Sequence, residues 1–149
     1  MYHWALFVHL LGAFLFVGGL TVAAVAFESA RRRGTSAEIA LLLGVTRWGV
    51  ALVAVGGVVV LAGGLWLAHE VHAGGQGWVD AALALFVVTV AVGIVGGQRP
   101  KQARKLAEAG GDVGEVRRLL DDPLGRALNY LGAVLVLAIL VLMVWQPGS

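Results

Sequence analysis

Ala5-Leu-Phe-Val-His-Leu-Leu-Gly-Ala-Phe-Leu-Phe-Val-Gly-Gly-Leu-Thr-Val-Ala-Ala-Val-Ala-Phe27 is followed at once by Glu28-Ser29-Ala30-Arg31-Arg32-Arg33. Residues 5–27 contain no Asp, Glu, Lys or Arg. As a helix rising about 1.5 Å per residue, the run is long enough for a hydrocarbon core of about 30 Å. A secretory signal would carry basic residues ahead of a shorter apolar run. Met1-Tyr2-His3-Trp4 has none, so the stretch predicts a retained first span over about residues 4–27, held at its end by the arginines.

Three more segments have the same character. Thr35-Ser36-Ala37-Glu38 has the form of a capping box, with Thr35 as N-cap. A helix is predicted from about Ser36 to Ala68. Arg47 and Trp48 mark its entry into the membrane, and residues 37–46 form an aqueous extension. The second span is then 48–68. A short Gly-rich turn over 70–77 leads to a third span over 78–97, closed by Arg99-Pro100. Residues 101–109 and 113–120 read as two short amphipathic helices split by Gly110-Gly111. Asp122-Pro123 is an N-cap and first-turn pair for a fourth span over about 124–145. The fold class expected is all-α: a transmembrane four-helix bundle, one integral membrane domain over residues 1–149.

Composition agrees. The 149 residues are 59% hydrophobic and 13% charged, whereas a soluble domain holds about half apolar and a quarter charged residues. Four spans leave no room for a soluble catalytic domain. Cysteine is absent, which excludes disulfides, thiolate metal sites and a cysteine nucleophile. There is no P-loop, dinucleotide-binding glycine turn, HExxH or nucleophile elbow. Spans 3 and 4 carry no charge between Asp80 and Arg99 or beyond Arg126, where an ion-driven transporter needs intramembrane charge and internal repeats.

All eleven Lys and Arg fall in the first and third connections: Arg31, Arg32, Arg33 and Arg47 in one, the other seven between Arg99 and Arg126. The positive-inside rule puts those connections in the cytoplasm and both termini outside, an N-out/C-out arrangement. Trp4, Trp66, Trp78 and Trp145 then form an outer aromatic belt, with Trp48 at the inner interface. The basic face is expected to attract anionic lipid. Nothing calls for nucleic acid as a partner.

Gly49, Gly56 and Gly63 recur every seven residues on span 2, and Gly12, Gly18 and Gly19 lie on span 1. Small residues let membrane helices pack closely. These faces are expected to serve as helix seams, within the chain or between copies in a homo-oligomer. A second reading gives some of them the task of making room for a flat cofactor.

The histidines carry the chemistry. His9 lies about 7 Å below the level of Ala5 and Trp4 at 1.5 Å per residue, and a buried ionisable residue in a span is a functional candidate. Gly12, three residues on, shares its face. His69 and His72 are i, i+3 neighbours at the outer end of span 2. Neutral imidazole ligates haem iron, copper or zinc, and Glu70 or Asp80 could orient a ring. The cofactor-binding set expected is His9, His69 and Gly12. For a metal it is His9, His69 and His72, with His69 preferred over His72 as the partner of His9. His3 reads as a headgroup-level residue. A buried imidazole bonded to a neighbouring helix for stability alone competes for His9, as does a ligand-free membrane scaffold for the whole chain.

Tyr2-x-Trp4-x4-His9-Leu10-x-Gly12-x6-Gly19-Leu20 resembles the first helix of the four-helix membrane protoporphyrinogen oxidases (the HemJ type). The resemblance implies haem b on the N-terminal His, which is His9 here, and oxidation of a porphyrinogen. The chain departs from that pattern at Leu6, where the oxidases carry a Lys. Gly64-Leu65-Trp66 and Met143-Val144-x-x-Pro147-Gly148 are more similar to a bacterial four-helix membrane family of the copper-resistance-D-like group. That likeness covers the layout of all four spans. It implies a multi-pass protein of the bacterial cytoplasmic (inner) membrane. The histidines point to a redox or cofactor-handling role, with haem b, copper or no cofactor bound.

Overall fold

Runs of Leu, Val, Ala and Phe with few polar groups among them leave the backbone to satisfy its own hydrogen bonds in lipid, and the helix is the single-segment solution. A computed structural model describes residues 1–70 and 76–146. Its described residues form six helices: α1 (Tyr2–Arg31), α2 (Ser36–Glu70), α3 (Gly77–Gly96), α4 (Gln98–Glu108), α5 (Val113–Leu120) and α6 (Pro123–Trp145). No strand occurs among them. Four helices are long and apolar enough to cross a membrane, as expected: α1, α2, the α3–α4 run and α6. α3 breaks from α4 at Gly97 only, close to Pro100, which has no backbone N–H to continue the ladder.

The helix starts follow local chemistry. Glu38 N–H donates to Thr35 Oγ1 at 3.4 Å, and the Thr35 hydroxyl donates to Glu38 Oε2 at 3.0 Å. Asp122 accepts from Gly125 N–H at 3.0 Å and caps α6, with Pro123 in the first turn. Asp112 caps α5 in the same way through Glu115 N–H at 3.1 Å. Sequence reasoning missed that third cap.

The spans associate as two antiparallel pairs. α1 and α2 pack along nearly their whole length, and α3 packs on α6. The α1–α2 seam is made by glycine. A Cβ on Gly12 would strike the backbone of Val60, and one on Gly56 the backbone of Phe16. A Cβ on Gly19 or Gly49 would lie 2.7 Å from backbone of the opposite helix. The every-seventh glycines of α2 are thus a helix seam within the chain. Gly18 and Gly93 face open space among the described residues. Phe16 and Phe86, with ring centroids 5.9 Å apart across Gly57, link the first pair to α3. α6 buries none of its described residues.

The largest fully buried side chains are elsewhere. Ile39, Leu43, Val116 and Leu120 close against Ala30, Ala103 and Ala107 where α1 ends and α2, α4 and α5 meet. The basic end therefore carries a small close-packed core, where the sequence suggested spans joined by little more than surface helices. Arg31 ties it together. Its Nε donates to Asp121 Oδ1 at 2.9 Å, and its Nη1 pairs with Glu28 at 3.1 Å. The Asp121 hydrogen bond, opposed in part by desolvation, raises the Arg31 guanidinium above its ordinary pKa. Ser36 Oγ donates to Gly111 O and Arg117 Nη2 to Arg33 O, which fastens the third connection onto the first.

Candidate cofactor site at His9

The glycine seam sets what surrounds His9. In the register of the two helices, Gly12 lies against Val60 and Gly63 against His9. A Cβ on Gly63 would come within 2.7 Å of the His9 backbone nitrogen. Backbones that close leave the His9 side chain one way across, over Gly64. A Cβ there would meet Nδ1 at 3.1 Å and Cε1 at 3.2 Å. The ring reaches the α2 backbone because Gly64 has no side chain.

His9 is 9% exposed, and its Nδ1 lies 2.9 Å from Val60 O. A carbonyl oxygen can only accept, so Nδ1 carries the proton and donates. The neutral ring then has its lone pair on Nε2. Nε2 makes no hydrogen bond among the described residues, and it is not among their fully buried unpartnered atoms. With one nitrogen fixed on a backbone carbonyl, the other is left free to accept a hydrogen bond or to coordinate. Val60 was invisible to sequence reasoning, because its part is played by a main-chain oxygen.

The other predicted residues fall differently. Gly12 is buried against the Val59–Val60 backbone, so the space beside it is filled by α2 and not open to a flat ring. Its role is to bring α2 close enough for His9 to reach. His69 is exposed, six residues past Gly63, about 9 Å further along the axis at 1.5 Å per residue. The same step along α1 leads from His9 to His3, also exposed, so the register sets His69 level with His3. His72 lies outside the described residues. Glu70 accepts from the Trp66 indole at 3.3 Å, and Asp80 is exposed in the first turn of α3. Among the described residues no group of three or more His, Asp or Glu is gathered to hold an ion. The buried Thr89 hydroxyl donates to Leu85 O of its own helix.

The donor gathered here is a single nitrogen, His9 Nε2. A haem could be held through one imidazole, whereas a structural ion enclosed by several side chains would need ligands not gathered among the described residues.

No curated protein and no solved structure matches the chain. Residues 4–147 match one protein family, and on that match the chain belongs to the family described as predicted integral membrane protein (DUF2269).

Proposed function

We propose that this protein binds haem b, or alternatively a copper ion, through His9 Nε2, in a redox or cofactor-handling role. The observation that carries the proposal is the Nδ1–Val60 O hydrogen bond, which selects the ligating tautomer and leaves Nε2 unpaired among the described residues. His9 supplies one ligand. His69 near the end of α2, or His72 beyond it in sequence, would offer a second from the same side of the membrane. A bound haem would supply reversible one-electron chemistry. The protein's part is to fix the ring, set its basicity through the Val60 carbonyl and keep the site in a low-dielectric layer.

The topology proposed with it is N-out/C-out, with 1–149 as one membrane domain in a bacterial inner membrane. The single-sided distribution of Lys and Arg supports this orientation. It places His9 in the outer leaflet and the buried core of Ile39, Leu43, Val116 and Leu120 in the cytoplasm. The basic end then faces anionic lipid. Resemblance to the copper-resistance-D-like group and, on α1, to the HemJ-type oxidases supports a haem or copper site, and the oxidase reading adds porphyrinogen as substrate. A homo-oligomer would use the faces of Gly18 and Gly93, since the other seam glycines are occupied.

A second reading has its own observation. The same His9–Val60 bond joins two tightly packed helices, as expected of a latch in a ligand-free scaffold. Purification in mild detergent followed by an absorption spectrum and metal analysis separates the two. A Soret band that shifts on reduction, or stoichiometric copper, supports the cofactor reading. A colourless, metal-free protein that takes up neither haem nor copper on reconstitution supports the scaffold.

A further inference from the structure

Where α3 turns into α4 and α6 begins, the chain forms an open groove with a volume of about 200 Å³. Its lining is mixed: apolar Val95, Leu124 and Leu128 from the ends of α3 and α6, with polar Gln98, Arg99, Gln102 and Asp122. The room comes from small residues: a Cβ on Gly96 would already touch Leu128 at 3.4 Å, and Gly125 faces Asp122. Arg99 forms no ion pair among the described residues, although Asp122 borders the same groove. The Asp122 carboxylate is turned to Gly125 N–H, where it caps α6. The groove thus brings together an unpaired guanidinium, two amide side chains and three apolar side chains where α3 meets α4.

We propose that this groove is a binding site for one anionic phospholipid, its phosphate held by Arg99 with Gln98 and Gln102 and the upper part of an acyl chain lying on Val95, Leu124 and Leu128. A free phosphate would satisfy Arg99 but has no use for the apolar side chains. A zwitterionic lipid would bring a second cation toward Arg99. The mixed lining and the unpaired charge together fit an anionic headgroup with its chain attached, and basic pockets between spans at the cytoplasmic side hold such headgroups. The site sharpens the assignment of the basic end to the lipid surface and is independent of what His9 binds.

The test is native mass spectrometry of the full chain released from detergent and titrated with phosphatidylglycerol, phosphatidylcholine of the same acyl chains, or inorganic phosphate. Two exposed arginines are replaced singly: Arg99→Gln at the groove, and Arg118→Gln on the same basic end but away from it. One phosphatidylglycerol should be retained by the unaltered chain and by R118Q. R99Q should bind it about fivefold more weakly, the equivalent of about 1 kcal/mol per basic residue at a lipid surface. Phosphatidylcholine should bind more weakly to all three and be indifferent to R99Q. Equal losses for R99Q and R118Q would overturn the site while leaving a diffuse basic lipid-facing surface. No loss for either would remove both. Displacement of the lipid by millimolar phosphate would show an anion site without lipid selectivity and would also overturn the proposal.

Discussion

His9 Nδ1 and Val60 O, on facing helices and 51 positions apart in sequence, lie 2.9 Å from one another. That contact depends on two glycines. Gly63 lets the backbones touch, and Gly64 clears the path of the ring. It fixes one nitrogen of the imidazole and frees the other. A ligand site and a helix latch therefore share one hydrogen bond, and their predictions differ in what is lost when the ring is removed.

Replacing Gly56 by Ala puts a methyl group into the Phe16 backbone, where no side chain can move aside. Overpacking of this kind costs about 1–3 kcal/mol, and the bundle should lose stability accordingly. Gly18→Ala adds a methyl into open space and should be neutral within about 0.5 kcal/mol. Reversible unfolding in mixed micelles measures both. Equal effects at the two positions would refute the α1–α2 seam.

Leu43→Ala empties part of the small core at the basic end, where Leu43 is wholly buried. A loss of about 2–5 kcal/mol is expected for a packed leucine, felt chiefly by α4 and α5. Hydrogen exchange should show faster opening of residues 98–120, while α1 and α2 beyond the core keep their protection. Unchanged exchange in 98–120 would mean that this core does not hold the third connection.

Asp121→Asn should weaken the hold of Arg31 and Arg126, which both point to its Oδ1. A double-mutant cycle with Arg31→Gln should give a coupling of about 1 kcal/mol, reduced in high salt because the pair is partly exposed. With its pKa raised above the ordinary arginine value, Arg31 contributes fully at every pH below that ordinary value. Its contribution would be lost only as pH rises through the still higher folded value, so titration of Arg31 adds no slope to stability between pH 5 and pH 9. Additive effects in the cycle would show that the pair carries no coupling.

The absence of cysteine makes orientation directly testable. A single Cys at the exposed position of Arg118 should resist an impermeant maleimide in right-side-out vesicles and react in inverted ones. One at Gln76, between α2 and α3, should do the reverse. The opposite pattern would invert the N-out/C-out assignment.

How far the sequence could be read follows from what each feature depends on. The spans were legible because an apolar run of some 20 residues has few alternatives. The Thr35 and Asp122 caps were legible because a cap is a local pattern. Asp112 with Glu115 has the same pattern, obscured by the break that Gly110-Gly111 already signals. The pairing of Gly12 with Val60 and of His9 with Gly63 was not legible, since a glycine repeat marks a seam without naming what meets it. That register also decided against open space beside Gly12 and set His69 level with His3. The core of Ile39, Leu43, Val116 and Leu120 was not legible because α5 has only two turns of apolar spacing and nothing local to the start of α2 names its partner.

The central claim is that His9 Nε2 holds the cofactor. Its most direct test is the absorption spectrum of the protein reconstituted with haem b, compared between the unaltered chain, His9→Ala and His69→Ala at equal protein concentration and confirmed folded state. The unaltered chain should show a Soret band that shifts on reduction. His9→Ala should lose at least about nine-tenths of it, the tenfold lower end of what a ligand's supporting shell alone is worth. His69→Ala should keep a band, displaced if that residue is the second ligand. A His9→Ala protein with undiminished haem occupancy would contradict the account and leave His9 as a latch between α1 and α2.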